Sequence, residues 1–308
     1  MNPPTVSVVI PAYNAAVFLV DTVRSVIEQT VRDWELLIVD DGSDDPTPSI
    51  AARFARDDSR IRVLVGPNLG VAGARNAGLA MASTSSRFVA FLDHDDLWHP
   101  YCLEVLAGVL DAHPAASAAY GLPRPMTSSG VPVASDVRQA VGYRRWCVHQ
   151  GRVVEWPPEL PTTFEVLTAW NVIETPGQVL IRRAALESVD PFDPDCVPGD
   201  DWDMWLRLSL VGHLQLTVRH VIDKRYHENA QSFGFGLFGS ERRLRKKWVG
   251  RPDLSPEQRA TLKVADRHGP VLRLRWARDE IRRGDLYWAV RHVGSAAIAY
   301  RRYLAMPY

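Results

Sequence analysis

Lysine is missing from the first 223 residues of this 308-residue chain and first occurs at Lys224, so no lysine-bearing phosphate loop stands in that stretch. Cysteine is scarce: Cys102, Cys147 and Cys196 are odd in number and widely spaced. They form neither a disulfide framework nor a CxxC metal pair, which points to a reducing compartment. No apolar run approaches the ~18 residues of a membrane span. The N-terminus, MNPPTVSVVIPAYN, lacks the charged-then-apolar pattern of a signal peptide. Net charge is +0, which removes any whole-chain bias toward nucleic acid or membrane. Internal repeats and low-complexity segments are absent too. The expectation is a soluble cytoplasmic protein.

What remains is an ordinary globular composition arranged in a regular rhythm. Val6–Ile10, Leu36–Val39, Ile61–Val65 and Phe88–Leu92 are short, continuous apolar runs rich in Val, Ile and Phe. Between them Val20, Val23 and Val26, then Ile50 and Phe54, then Leu103, Leu106 and Leu110 recur at helical spacing. Strands without polar alternation, separated by amphipathic helices, predict a parallel sheet covered on both faces. Gln178–Ile181 reads as a further buried strand, and Asp201–Leu210 as a helix. Residues 120–175 lose the rhythm and read as a variable insertion.

Polar clusters follow the strands: Pro11-Ala12-Tyr13-Asn14, Asp40-Asp41-Gly42-Ser43, and Asp93-His94-Asp95-Asp96. In open α/β sheets the site lies beyond the carboxyl ends of the strands, so these clusters are expected to converge. Several carboxylates brought close together repel, and one of them normally takes up a proton. A divalent cation removes that conflict, and oxygen ligands favour Mg²⁺ or Mn²⁺ shared with a substrate's phosphates. Read alone, each acidic cluster is equally compatible with turns and helix caps.

Five motifs together go further. VSVVIPAYNA (6–15), ELLIVDDGSDD (35–45), NLGVAGARNAGL (68–79), FVAFLDHDDLWHP (88–100) and PGDDWDMWLRLS (198–209) follow one another in an order that closely resembles glycosyltransferase family 2. These are inverting nucleotide-sugar transferases of GT-A fold, and the resemblance covers roughly residues 5–235. It implies an α/β protein with a GT-A-type, mostly parallel sheet and helices on both faces. Its donor would be a nucleoside-diphosphate sugar, its cofactor a divalent Mn²⁺ or Mg²⁺, and its acceptor a hydroxyl on a glycan, a lipid-linked sugar or a small molecule.

By the same resemblance, Pro11, Ala12, Tyr13 and Asn14 line the base and ribose. Asp41 accepts a hydrogen bond from a uracil or thymine N–H, which favours a UDP- or dTDP-sugar. Arg75 lies near the diphosphate or braces the acidic cluster. Asp93 contacts ribose or a metal-bound water, Asp95 ligates the metal, and His227 in RYHENAQS reaches metal or diphosphate. Asp201 is the catalytic base. Asp200 stands where the family usually has Glu, which leaves open which of the two faces the acceptor. Trp170 and Trp202 are sugar-stacking or core residues, while His94 and His99 read as outward-facing and structural.

From Glu241 to Tyr308 there are seventeen Lys/Arg against seven Asp/Glu. Residues 241–308 read as a small, basic helical appendage to a 1–240 transferase domain, with Leu286, Val290, Val293, Ala297, Tyr300 and Leu304 along one helical face and Gly269-Pro270 punctuating it. Arg242, Arg243, Arg245, Lys246 and Lys247 beside Trp248 form the best candidate for peripheral contact with the inner face of a membrane. No nucleic-acid motif accompanies the charge. LRKKW departs from the QxxRW signature of the family's processive polymerases, which favours single transfer. Two rivals are weaker. A sugar nucleotidyltransferase needs a Gly-rich basic loop where PAYNAAVFL stands, and a non-catalytic sugar-nucleotide or glycan-binding module has no need of Asp201.

Overall fold

A computed structural model of the chain describes residues 4–132, 145–227 and 236–282. Its centre is an eight-stranded sheet in the order β3-β2-β1-β4-β9-β6-β10-β5. These strands are β1 (Val6–Ala12), β2 (Trp34–Asp40), β3 (Ile61–Val65), β4 (Phe88–Phe91), β5 (Leu97–Trp98), β6 (Ala116–Met126), β9 (Val179–Arg182) and β10 (His213–Arg225). β3, β2, β1 and β4 run parallel, as the uninterrupted apolar runs require. β9 is antiparallel to both β4 and β6, and β6 and β10 are again parallel.

The period of two along each strand divides the interior into two layers. Val8, Ile10, Leu36, Ile38 and Ala90 face helices α1 (Leu19–Ile27), α2 (Thr47–Asp57) and α4 (Cys102–Ala112). Val9, Leu37, Val39, Val89 and Phe91 face the other side, where α3 (Gly70–Met81), α5 (Phe164–Ala169), α6 (Arg183–Glu187) and α7 (Asp200–Val211) pack. α3 lies unusually close to the sheet. A Cβ on its Gly78 would stand 2.4 Å from Val9 Cγ1, so only glycine admits this approach. That seating fixes the position of Arg75, one turn earlier.

Two expectations change. Residues 120–126 are not part of an irregular insertion, because they complete β6 in the main sheet. Their Pro and Arg residues disguise the pattern. The insertion that follows contains a two-stranded hairpin, β7 (Arg145–His149) and β8 (Arg152–Trp156). The Gly269-Pro270 pair does not end a helix either: α9 runs unbroken over Pro256–Arg282. A proline removes one N–H from the ladder without forbidding continuation. α9 packs its Ala265 against Val148 and Ala169, and α8 (Gly236–Val249) buries Trp248 against Phe164, ring centroids 5.6 Å apart. The amphipathic stretch from Leu286 to Leu304 lies outside the described residues. Among the described residues no helix is long and apolar enough to cross a membrane.

Candidate active site

The carboxyl ends of β1, β2 and β4 meet, as the topology demands, and the polar clusters that follow them are wired together. At the end of β1, the Asn14 N–H donates to Ser43 Oγ at 2.9 Å, and Asn14 Oδ1 accepts from the Asp44 N–H at 3.0 Å. Asn14 adopts φ 49°, a left-handed conformation that asparagine tolerates. Asp41 N–H donates to Ala12 O, and Asp41 Oδ1 accepts from Leu69 N–H at 2.7 Å. Pro11 and Ala12 are buried, whereas Tyr13 presents 43% of its surface to solvent at the rim. His94 does not face outward. It is half-buried, with Nδ1 3.3 Å from Pro11 O, where it donates, and its own carbonyl accepts from Thr22 Oγ1. The short turn after β4 draws it back over β1.

Arg75 is the hub of the acidic corner. Nη2 donates to Asp93 Oδ1 at 2.7 Å and Nη1 to Asp200 Oδ2 at 2.6 Å. Burial works against the guanidinium's charge, but Asp93, Asp200 and Asp201 outweigh it and hold its pKa above the ordinary arginine value. One N–H of each Nη thus braces the acidic corner. Asp200 is almost wholly buried and committed to Arg75, whereas Asp201 is only half-buried and accepts from its neighbour Trp202 N–H. Burial, then Asp200 and Asp93, push the Asp201 carboxyl up to about 7, against the pull of Arg75.

On the opposite side, Asp95 Oδ2 lies 2.8 Å from His227 Nε2. Burial opposes the Asp95 charge, yet the His227 hydrogen bond and the nearby imidazoles keep its pKa below the usual value. The His227 ring rests on Phe18, centroids 5.0 Å apart, and the Arg225 guanidinium lies over the Phe18 ring at 4.7 Å. A hard dication suits this donor set. Donor atoms 2.8 Å apart are close to the spacing, about 3 Å, of adjacent ligands around an octahedral ion with ~2.1 Å bonds.

Several supports carry no signal in the sequence. Asp96 is fully enclosed and accepts from Thr175 Oγ1 at 2.6 Å and Arg225 N–H at 3.0 Å. Burial and the neighbouring Asp95 and Asp93 raise its pKa well above the ordinary carboxyl value. Arg225 Nε donates to Asp95 O. Thr175, in the TPGQ stretch, and Arg225, the first residue of RYHENAQS, belong to no spacing that points at the acidic corner.

Other expected residues have different employment. Trp202 is buried, and its Nε1 donates to Leu167 O at 2.9 Å, so its ring belongs to the core and not to a sugar face. Trp170 is half-buried against that same core. His99 is structural as expected, lying 3.0 Å from Asp223 Oδ1. Of the basic patch, Arg243 and Lys246 are exposed, the Arg242 side chain lies outside the described residues, and the rest is engaged within the fold. Trp248 is wholly buried, Lys247 is ion-paired to Asp193 and Asp203, Arg243 donates to Val197 O, and Arg245 lies over Trp202.

The model of glycosyl transferase family 2 matches residues 7–189. The chain belongs to this family. Among curated relatives, the putative teichuronic acid biosynthesis glycosyltransferase TuaG of Bacillus subtilis is 46% identical over 33% of this chain and 40% of its own length. The UDP-Glc:alpha-D-GlcNAc-diphosphoundecaprenol beta-1,3-glucosyltransferase WfgD of Escherichia coli is 43% identical over 34% of this chain and 40% of its own. The matched stretches therefore span well under half the length of these relatives. Among solved structures, S. aureus TarS 1–349 in complex with UDP-GlcNAc superposes with a TM-score of 0.65 at 17% identity, covering 98% of this chain and 92% of that one. The mannosyltransferase PcManGT from Pyrobaculum calidifontis, in complex with GDP-Man and Mn²⁺, gives 0.66 at 18%, covering 100% and 77%. At such identities the likeness is one of fold: this family member has the GT-A architecture.

Proposed function

We propose that this chain is a metal-dependent, inverting glycosyltransferase that moves one sugar from a nucleoside-diphosphate sugar, preferentially a UDP- or dTDP-sugar, to an acceptor hydroxyl. One observation carries the reading most directly: Arg75 hydrogen-bonds Asp200, and among the described residues no cation is hydrogen-bonded to Asp201 beside it. A half-buried carboxylate pushed up to about 7 is poised to take a proton near neutral pH.

In this reading Asp201 removes the proton of the acceptor hydroxyl as its oxygen attacks the anomeric carbon. The glycosidic C–O bond breaks on the opposite face, and its electron pair leaves with the diphosphate. Asp200 and Asp93, clamped by Arg75, set the distance between the base and the donor side. Asp95 and His227 would hold a divalent cation, which would supply positive charge toward the leaving diphosphate. Asp41 retains Oδ2 for a pyrimidine N–H, since Leu69 occupies only Oδ1. Pro11, Ala12, Tyr13 and Asn14 frame the nucleoside. The WfgD name specifies a UDP-sugar donor and a diphosphoundecaprenol-linked acceptor, which makes a lipid-linked sugar the first acceptor class to test.

The test is calorimetric titration of UDP, dTDP, GDP and CMP, each with and without Mn²⁺, into wild type and Asp95→Ala. Metal-dependent binding of UDP or dTDP, weakened about 10- to 100-fold in the variant, is expected for a lost metal ligand. Binding of none of the four with metal overturns the reading, and preference for GDP overturns the pyrimidine assignment. A non-catalytic module would bind the nucleotide yet show no turnover that depends on Asp201.

A further inference from the structure

Asp193, Cys196 and Asp203 bring three ligand-type atoms within 4.8 Å of one another. The set has the look of a metal centre, but it is already filled. Lys247 Nζ, delivered by α8, lies 2.6 Å from Asp193 Oδ2, 3.0 Å from Asp203 Oδ2 and 3.4 Å from Cys196 Sγ. An ammonium with three donors satisfies this socket without any ion. Burial works against the Lys247 charge, and the hydrogen bonds to Asp193 and Asp203 overcome it, so its pKa is raised.

Asp203 is the deep end of the socket, with 0% of its side chain exposed. Besides Lys247 it accepts from Arg207 Nε at 2.9 Å and from Trp248 Nε1 at 2.9 Å. It sits in the first turn of α7, two residues after Asp201. That turn starts at Gly199, which offers no side-chain cap, and the Asp203 N–H closes it on Gly199 O at 3.0 Å. It is also held from outside. On one side Asp200 is fastened to Arg75. On the other, α8 fastens Asp203 through Lys247 and Trp248, sets Arg245 over the Trp202 ring at 5.8 Å, and ties Arg243 to Val197 O just ahead of the helix.

We infer that Lys247 is a positioning residue: its ammonium, seated between Asp193 and Asp203, holds the first turn of α7 so that Asp201 points at the reacting hydroxyl. The catalytic role in this statement rests on Asp201 acting as the base. α8 is then part of the catalytic machinery although it follows the matched residues 7–189.

The test uses the full chain with Lys247→Met, Lys247→Arg and Trp248→Phe. Turnover is followed as nucleotide release from whichever of UDP-glucose, UDP-galactose, UDP-GlcNAc or dTDP-glucose the wild type uses fastest. Lys247→Met is expected to lower kcat about tenfold or more, in line with the cost of a small misplacement of a catalytic group. UDP affinity and donor KM should stay within about twofold, since interactions made only in the transition state affect kcat selectively. Lys247→Arg, which keeps the charge, should recover most of the loss, and Trp248→Phe should fall between. An unchanged kcat in Lys247→Met overturns the proposal, as does a kcat loss matched by an equal loss of UDP affinity. A second measurement is independent of turnover: amide hydrogen exchange at residues 200–204 should accelerate in Lys247→Met, with exchange in β1 and β2 unaltered. If exchange there is unchanged, Lys247 does not hold the turn. If Asp201→Asn leaves turnover intact, the base assignment fails, and exchange alone decides the positional claim.

Discussion

Two groups of carboxylates share helix α7 and end differently. The inner group, Asp203 with Asp193, is closed: Lys247, Arg207 and Trp248 satisfy it from within the chain. The outer group, Asp93, Asp95, Asp200 and Asp201, is only half closed. Arg75 covers Asp93 and Asp200, while among the described residues no cation is hydrogen-bonded to Asp201, and Asp95 meets an imidazole that can equally ligate a metal. A buried charge is retained for stability only when its partners are complete. Incomplete partnering at a cleft is what a site for an external cation and substrate requires. The contrast teaches which acids to read as function, and it can be broken at four points.

The largest effect belongs to Asp201→Asn. Turnover should fall about 10³-fold, within the range of a lost general base, with UDP affinity within twofold of wild type. Steady-state kinetics beside calorimetry checks both. Asp203→Asn should do the reverse to the balance of stability and chemistry. Its amide would place a donor against Lys247 and Arg207, and removing one member of a buried charge cluster costs about 3 kcal/mol or more. Urea unfolding gives the number, and an unchanged midpoint would show that the inner group is no lock.

The third point is pH. A base pushed up to about 7 must be deprotonated to work, so kcat/KM should rise through pH 7 and level off above it. Stability moves the opposite way. The folded state binds this proton more tightly than the unfolded chain does, so the Asp201 contribution is fully present below about pH 4 and is lost as pH rises through about 7. Asp201→Asn should therefore be more stable than wild type at pH 8, by on the order of 2 kcal/mol once solvent screening of the partly buried carboxylate is allowed for, and no more stable at pH 4. Thermal melts at the two pH values decide it.

Much of this was legible in the sequence. The four parallel strands follow from apolar runs that ignore the solvent-side alternation, and the convergence of PAYN, DDGS and DHDD follows from where those runs stop. What escaped is partnership across long separations. Arg75 and Asp200 are 125 residues apart, Asp96 and Arg225 are 129 apart, and no local period couples them. Only the fold could say that Asp200, not Asp201, takes the guanidinium. The partners of the basic C-terminal stretch escaped for the same reason: nothing local couples Lys247 to Asp193 and Asp203.

Trp202 gives the smallest and most discriminating of the four effects. Aromatic rings beside a transferase cleft invite a sugar-stacking role, yet this indole is enclosed and donates to Leu167 O. Trp202→Phe keeps a ring in the core and deletes one buried N–H, which leaves the Leu167 carbonyl without that donor. The cost should be about 1 kcal/mol of stability, the usual size for a single buried hydrogen bond. Donor KM should not change, because the ring never meets the sugar. A several-fold rise in KM with unaltered stability would move Trp202 from the core to the cleft, and with it the boundary between the closed and the open side of α7.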